Sequence, residues 1–289
     1  MRIDLFNAIA RDEIAIHLQP LVALRTGRVA GFEALARWTH PSGAVVAPSD
    51  FIPLATQWSL ITPLTLVVLR KTAAALRRLR AAYPDIGITV NLALETLRWP
   101  GFERAVREAL EAEECPLSAL AFEITEGALM TDPEGVRATM RPLHEEGVKI
   151  YLDDFGVGYS SLGRLAELEL DAVKIDRKFV GGILVDRKRQ AIVRAMIGLA
   201  HDFGFEALGE GVEDSATLEL LAVMGCDTAQ GYHLALPMPE SDVDGWMANR
   251  APSIAVRARA GGTLTAHPRE PREARRRRNI QLHLHDRPA

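Results

Sequence analysis

Short β-rich segments alternate with longer amphipathic segments between residues 13 and 237, and this alternation limits the fold more than any other feature of the chain. Eight segments have the composition of strands, and they cover residues 15–24, 28–38, 86–94, 119–126, 148–156, 171–179, 205–213 and 227–236. Helical patterns lie between most of them, at residues 62–82, 101–113, 132–147, 189–204 and 215–225. Because strands that alternate with helices pair in parallel through right-handed crossovers, the pattern predicts an α/β protein. Eight units in about 250 residues predict a TIM (β/α)8 barrel.

The first two predicted strands are joined by the turn-like sequence RTGR at residues 25–28, and we expect them to form a hairpin. The expected fold is therefore a modified TIM (β/α)8 barrel with an antiparallel first strand. A doubly wound open sheet is the alternative. It is disfavoured because no GxGxxG motif opens a helix after an early strand, so the phosphate-binding turn common in such folds is missing.

Charge separates the chain into two parts. The net charge is −4, but residues 251–289 contain nine arginines against three acidic residues, a balance of +6 that leaves residues 1–250 at −10. The basic segment has little apolar periodicity, so we expect residues 251–289 to be a disordered tail and residues 1–250 to form the barrel. A solvated end is favoured over a nucleic-acid arm for the block Arg275–Arg278, because the sequence has no helix-turn-helix or zinc motif.

The sequence favours a soluble, cytoplasmic protein. We expect no signal peptide, because charged residues from Asp4 to Glu13 interrupt the apolar run that such a peptide needs. Apolar runs such as residues 64–69 are far shorter than the roughly 20 residues that span a bilayer, so no membrane span is expected. Cys115 and Cys226 have no metal-ligand spacing and are expected to be reduced thiols.

Polar and ionisable residues recur at the ends of the predicted strands. In chain order they are Glu33, Asn91, Glu123, Glu126, Asp153, Asp154, Lys174, Asp176, Glu210, Glu213 and Gln230. Each has a structural explanation when taken alone, such as a helix cap for Asp176 or Glu213 and a turn for Asn91. In a TIM barrel, however, the ends of several strands converge on one active site. Carboxylates that converge there require cations, and such hard oxygen ligands suit Mg²⁺ or Mn²⁺.

The adjacent pair Asp153 and Asp154 raises a geometric question, because neighbouring side chains on a strand point to opposite faces of the sheet. Gly156 and Gly158 follow the pair and can adopt backbone angles that other residues avoid, so Asp154 can turn toward the rim that Asp153 faces. Two carboxylates arranged in this way can hold two cations about 3.5–4 Å apart. Such a pair can activate a water and stabilise the leaving oxygen of a phosphodiester.

The segment Glu33-Ala34-Leu35, within GFEALARW, resembles the signature of the EAL domain family of cyclic di-GMP phosphodiesterases. The resemblance covers residues 1–247 and continues through QPLVALRTG, VNLA, FEITE, DDFGVGYSSL, VKIDRKFV, GEGVE and GCDTAQGYHLALP. It implies a bacterial signalling enzyme with a modified TIM barrel. It also implies that the enzyme hydrolyses cyclic di-GMP to linear pGpG with two Mg²⁺ or Mn²⁺ ions in each active site.

The resemblance implies a set of metal ligands. Glu33, Asn91 and Glu123 would bind one metal together with Asp153. Asp153 would bridge the two metals, and Asp154 would serve the second.

The resemblance also implies five residues that support the chemistry. Glu210 and Lys174 would hold the metal-bound water, and Asp176 would lie close to the metals. Glu126 would support the loop at residues 154–161, which the family links to dimerisation, and Glu213 would be a supporting residue.

Substrate contacts are implied for four residues. Arg37 would bind a substrate phosphate, whereas Leu35 and Gln19 would line the same substrate site. Gln230 would lie at the edge of the second metal and contact the substrate.

The sequence departs from the family pattern at several positions. Ala93 stands where the family usually has serine, Gly209 where alanine is common, Val157 where threonine is common and Thr56 where glutamate is frequent. None of these changes removes a metal ligand. The intact ligand set favours an enzyme over the alternative, a catalytically silent cyclic di-GMP receptor that signals to a protein partner. A homodimer is also expected, and a regulatory protein partner is compatible with either function.

Overall fold

The computed structural model describes residues 2–157 and 169–249. The expected disordered tail at residues 251–289 lies outside these residues, as does Gly158 in the glycine-rich loop.

The described strands form one sheet. They are β1 (Ile14–Ala23), β2 (Val29–Thr39), β3 (Val45–Val46), β4 (Gly87–Leu92), β5 (Leu120–Thr125), β6 (Lys149–Phe155), β7 (Ala172–Ile175), β8 (Glu206–Gly209), β9 (Thr228–Ala229) and β10 (Met238–Pro239). Eight of them close a barrel in the order β1, β2, β4, β5, β6, β7, β8, β9 and back to β1. β1 is antiparallel to both of its barrel neighbours, and the other barrel pairs are parallel. The predicted modified TIM barrel is therefore confirmed.

Helices surround the barrel. Those described are α1 (Arg2–Ala10), α2 (Pro48–Gln57), α3 (Ile61–Ala82), α4 (Leu94–Leu97), α5 (Phe102–Ala112), α6 (Glu126–Thr131), α7 (Pro133–Glu145), α8 (Arg177–Val180), α9 (Arg187–Phe203), α10 (Ser215–Val223) and α11 (Val243–Asn249). The five predicted helices correspond to α3, α5, α7, α9 and α10. None of the helices in residues 2–157 and 169–249 has the length and apolar character needed to cross a bilayer.

Alternation along each strand separates the main core from the barrel interior. Outward-facing residues such as Phe32, Ile88, Val90, Phe122 and Ile124 are at most 1% exposed and belong to the main apolar core. The intervening residues face inward. The polar residues of the sequence motifs occupy these inward positions, which is why they interrupt apolar strands.

The sequence periodicity predicts five of the eleven α-helices described, and α1 and α2 are among the six that it does not predict. In α1 only Leu5 and Ala8 are buried, which is too narrow an apolar stripe to predict a helix. These residues pack with Trp38 and Phe51 in a second, smaller core beside the barrel. The extra helices therefore depend on tertiary packing.

The later strands are shorter than their β-rich segments. The sixth predicted strand ends at Ile175, because the Asp176 carboxylate accepts a hydrogen bond from the Lys178 N–H at 3.0 Å and caps α8. β8 and β9 contain only four and two residues. The sequence pattern thus predicts where these strands lie but not where they end.

Two similar histidine–aspartate contacts fasten helices to the N-terminal end of the barrel. Asp227 Oδ2 lies 2.7 Å from His201 Nε2 and accepts a hydrogen bond from the Ala207 N–H at 3.0 Å. Asp171 Oδ2 lies 3.2 Å from His144 Nε2 and accepts a hydrogen bond from the Ile150 N–H of β6 at 2.9 Å. Each aspartate therefore joins a helix to the start of the strand that follows that helix.

We expect Asp227→Ala to lower the free energy of unfolding by about 1–3 kcal/mol, because the fully buried Ala207 N–H would lose its acceptor. Chemical denaturation would measure the change. Asp202→Ala is the matched control, since this aspartate lies exposed on α9. Equal midpoints for the two variants would show that the contact does not stabilise the barrel.

Candidate active site

One polar side chain from each barrel strand, or from the residue just after it, meets at the C-terminal end of the parallel strands. These residues are Gln19, Glu33, Asn91, Glu123, Asp153, Lys174, Glu210 and Gln230. Strand register brings neighbours together, since Glu33 lies opposite Gln19 and Asn91 lies opposite Glu123. The barrel thus assembles residues from distant parts of the sequence.

Lys174 lies at the centre of this group and is 1% exposed. Its Nζ lies 2.5 Å from Glu123 Oε2 and 2.7 Å from Glu210 Oε1. It also lies 3.5 Å from Asp153 Oδ1 and 3.7 Å from Glu33 Oε2. We call these four acidic residues, together with Lys174, the carboxylate cluster. One ammonium cannot neutralise four carboxylates, so the cluster attracts further cations.

The pKa values reflect this excess of acids. Burial alone would lower the pKa of Lys174, but the surrounding carboxylates, Glu123 foremost, raise it well above its ordinary value. Burial and the neighbouring Glu33 raise the pKa of Glu123 well above its usual range, although Lys174 opposes the shift. Burial also raises the pKa of Glu210 to about 7. Burial and the repulsion between neighbouring acids therefore both disfavour full ionisation of Glu123 and Glu210.

Two amides orient Glu33. Asn91 Nδ2 donates to Glu33 Oε1 at 2.7 Å, and Gln230 Nε2 donates to Glu33 Oε2 at 2.7 Å. Gln230 Nε2 also donates to Gln19 Oε1 at 2.9 Å. Among the side chains described, Gln230 Oε1 is buried and has no hydrogen-bond partner. An unpaired buried acceptor is costly and marks a place where a cation or a donor can bind.

The backbone turns sharply at the aspartate pair. Asp154 has a φ of 57°, and its N–H donates to Asp153 Oδ1 at 2.9 Å. The expected glycine turn is present at Gly156, with a φ of 86°, but the left-handed conformation begins at Asp154 itself. Aspartate is one of the few residues that tolerates it. The turn thus redirects the chain at the second carboxylate.

Glu126 fastens this turn to the barrel. It is 2% exposed at the start of α6, and its Oε2 accepts a hydrogen bond from the Gly156 N–H at 3.1 Å. A Cβ at position 156 would also lie 2.8 Å from Met196 Cε. Both the positive φ and this close approach therefore favour glycine.

The other predicted site residues lie farther from Lys174. Asp176 caps α8. Burial, Asp153 and Asp176 together raise the pKa of Asp154, so Asp176 also interacts electrostatically with this acid. Glu213 is exposed, and the helix that follows is capped by Asp214. The sequence interpretation of Asp176 as a cap therefore holds alongside its proximity to the acids.

The substrate residues predicted on β2 share the inward face of Glu33. Leu35 and Arg37 follow it at intervals of two residues, and both are half-buried. The Arg37 guanidinium donates to the Ala36 carbonyl at 2.8 Å, and burial lowers its pKa. These side chains line the barrel wall beyond the carboxylate cluster.

Thr89 belongs to the site but is not singled out by the sequence analysis. Its hydroxyl donates to Glu123 Oε1 at 2.6 Å, and the residue is 3% exposed. The signal that could identify it is its spacing, since it precedes Asn91 by two residues on the same face of β4.

The donors fit hard divalent cations, since they are carboxylate and amide oxygens. As the side chains stand, no three histidine, cysteine or acidic residues within residues 2–157 and 169–249 are arranged to hold a metal ion. The contacts of Lys174 give the reason, because its ammonium lies between Glu123 and Glu210. Metal binding would therefore require the side chains of Glu123 and Glu210 to move away from the Lys174 ammonium.

Comparisons with known proteins agree with this geometry. The chain is 37% identical over 247 residues to a cyclic di-GMP phosphodiesterase of Pseudomonas aeruginosa, covering 84% of this chain and 42% of that protein. It is 36% identical over 240 residues to the cyclic di-GMP phosphodiesterase NbdA of the same organism, covering 83% and 31%. The chain thus spans less than half the length of these relatives.

Solved structures share the fold. The PaMucR phosphodiesterase in complex with c-di-GMP is 36% identical, with a TM-score of 0.79 that covers 83% of this chain and 98% of that one. An EAL domain protein from Listeria monocytogenes is 28% identical, with a TM-score of 0.74 and coverage of 86% and 98%. The EAL domain model matches residues 2–237, and the chain therefore belongs to the EAL domain family.

Proposed function

We propose that this chain is a metal-dependent phosphodiesterase that hydrolyses cyclic di-GMP to linear pGpG. The observation that carries the proposal is the carboxylate cluster, in which four acidic residues surround one buried ammonium. Relatives named cyclic di-GMP phosphodiesterases and the PaMucR complex with c-di-GMP support this substrate. The homodimer, the protein partner and the cytoplasmic location stay predictions.

Five residues would hold two divalent cations. Glu33, Asn91, Glu123 and Asp153 would bind one cation. Asp153 would also bind the second cation, together with Asp154. When bound, Mg²⁺ or Mn²⁺ supplies a water of lowered pKa and stabilises the charge that develops on the phosphodiester.

The remaining residues would orient the reactants. Lys174 Nζ and Glu210 Oε1, which lie 2.7 Å apart, offer a donor and an acceptor to the attacking water. Arg37 would bind a phosphate of the substrate. Burial of these groups strengthens their electrostatic interactions relative to those in water.

Outer residues would support this arrangement. Leu35, Gln19 and Gln230 would line the substrate site. Asp176 would add negative charge near Asp154, and Glu213 is assigned a supporting role only by the resemblance.

Exchange of the metal tests whether the protein is an enzyme or a receptor. We expect hydrolysis with Mg²⁺ or Mn²⁺, and binding of cyclic di-GMP without efficient hydrolysis with Ca²⁺. The larger, more loosely coordinated Ca²⁺ would misplace the nucleophile, and a shift of about 1 Å costs roughly 10²-fold in rate. Chromatography of the nucleotides would measure pGpG, and calorimetry would measure binding. Binding without pGpG in Mg²⁺ or Mn²⁺ would identify a silent receptor instead.

Lys174→Met tests the charge balance of the carboxylate cluster. Loss of the ammonium leaves buried carboxylates without their partner, so in EDTA we expect destabilisation of about 3–5 kcal/mol. Added Mn²⁺ should raise the melting temperature more in this variant than in wild type. Lys178→Met is the control, because this lysine is exposed on α8. The balance we describe would be wrong if the two variants melted alike in EDTA.

Glu126→Ala tests the turn that carries Asp154. Removal of the acceptor for the Gly156 N–H should displace this turn and reduce turnover or metal affinity by about 10- to 100-fold. Glu134→Ala, at an exposed position in the first turn of α7, is the control. Turnover and Mn²⁺ affinity equal to those of the control would rule out this supporting role.

A further inference from the structure

Each residue that meets at the C-terminal end of the barrel stands above a second inward-facing residue, two positions away on the same strand. In the order of the barrel strands, this lower layer consists of Leu21, Gly31, Thr89, Ala121, Tyr151, Ala172, Leu208 and Thr228. All eight line a single cavity of about 100 Å³ beneath the carboxylate cluster, which we call the basal cavity. The basal cavity lies toward the N-terminal end of the parallel strands, opposite the candidate active site.

Small residues leave this space open. A TIM barrel interior is normally filled by bulky branched side chains, but here Gly31, Ala121 and Ala172 contribute almost no volume. Gly31 has a structural reason, because a Cβ there would lie 2.7 Å from the Gly87 carbonyl oxygen. The two alanines have side chains shorter than the usual filling of such a barrel.

Opposite charges line the same cavity. Lys149 on β6 and Glu206 on β8 flank β7, and Asp85 precedes β4. The side chains of Glu206 and Asp85 are exposed and that of Lys149 is half-buried, so these charges lie at the solvent-facing mouth of the cavity. Within the described part of the chain, none of the three forms a hydrogen bond or ion pair. The mouth therefore offers one cationic group and two acidic groups to a ligand, together with the hydroxyl-bearing residues Thr228 and Ser118.

We infer that the basal cavity is a second binding site, for a small zwitterion of the α-amino acid class. The ligand's carboxylate would pair with Lys149, and its ammonium would pair with Glu206 or Asp85. A water needs about 10–15 Å³ of such space, so 100 Å³ accommodates a solute of a few heavy atoms but not a nucleotide. The charged residues in the lining also disfavour a purely apolar ligand.

The basal cavity is connected to the carboxylate cluster through Thr89. This residue lines the cavity, and its hydroxyl donates to Glu123 Oε1 at 2.6 Å. A ligand that moves Thr89 would alter the orientation of Glu123. Because coupling between two sites is reciprocal, the zwitterion and a divalent cation at the cluster should change each other's affinity.

Calorimetric titration of glycine into the full chain, without metal and without cyclic di-GMP, tests the site. We expect saturable binding with a Kd near 1 mM. Lys149→Met and Glu206→Gln should each weaken it at least about tenfold, the scale of losing one charge-assisted contact. Lys188→Met, exposed on α9, should bind glycine as wild type does. Acetate and methylammonium, which carry one charge each, should bind at least about tenfold more weakly than glycine.

Several results would contradict the inference. No saturable binding below about 10 mM would exclude the site, and equal binding by Lys149→Met and wild type would place the ligand elsewhere. Acetate that binds as tightly as glycine would indicate an anion site. An Mn²⁺ affinity unchanged by saturating glycine would disprove the connection through Thr89. Since glycine binding is measured without metal or nucleotide, it can fail while the phosphodiesterase proposal stands, and the reverse also holds.

Discussion

The ammonium of Lys174 holds together a group of carboxylates that would otherwise repel one another. Its Nζ contacts Glu123 and Glu210 closely and lies within 3.7 Å of Glu33 and Asp153. If this buried charged group served only to stabilise the fold, it would be a poor choice, because well-packed apolar residues of similar volume stabilise a protein as well or better. The arrangement is explained if a functional cation shares the negative charge.

The barrel makes this concentration of charge possible. Each of its eight strands, or the residue just after it, directs one polar side chain inward, while the outward residues of the strands form the main core. Apolar packing outside the barrel thus stabilises the strands independently of the polar interior. The turn at Asp154 and Gly156 redirects the chain beside this group, and Glu126 fastens that turn.

The layer below the cluster has a different character. Long side chains above, including Lys174 and Glu123, stand over alanines at positions 172 and 121. The result is a cavity lined by both charged and apolar residues, which lies opposite the active site and contacts it through Thr89. The two ends of one barrel therefore share a wall, and a ligand at one end can influence groups at the other.

The sequence by itself determined the class of fold and identified most of the polar residues that meet at the C-terminal end of the barrel. Alternating strand and helix patterns predict the barrel, and carboxylates at strand ends predict a polar rim. Both signals are local, because periodicity and residue type follow from which face of an element is buried. The early end of β7 at Ile175 also has a local cause, the cap at Asp176.

Only the tertiary structure decided how these residues meet. α1 is stabilised by packing of Leu5 and Ala8 against Trp38 and Phe51, which no local pattern reveals. The central position of Lys174, the role of Thr89 and the basal cavity depend on register between strands distant in sequence. The residue types along one strand can predict which face of that strand is buried. The distance between side chains on two different strands, however, is fixed only when the barrel closes.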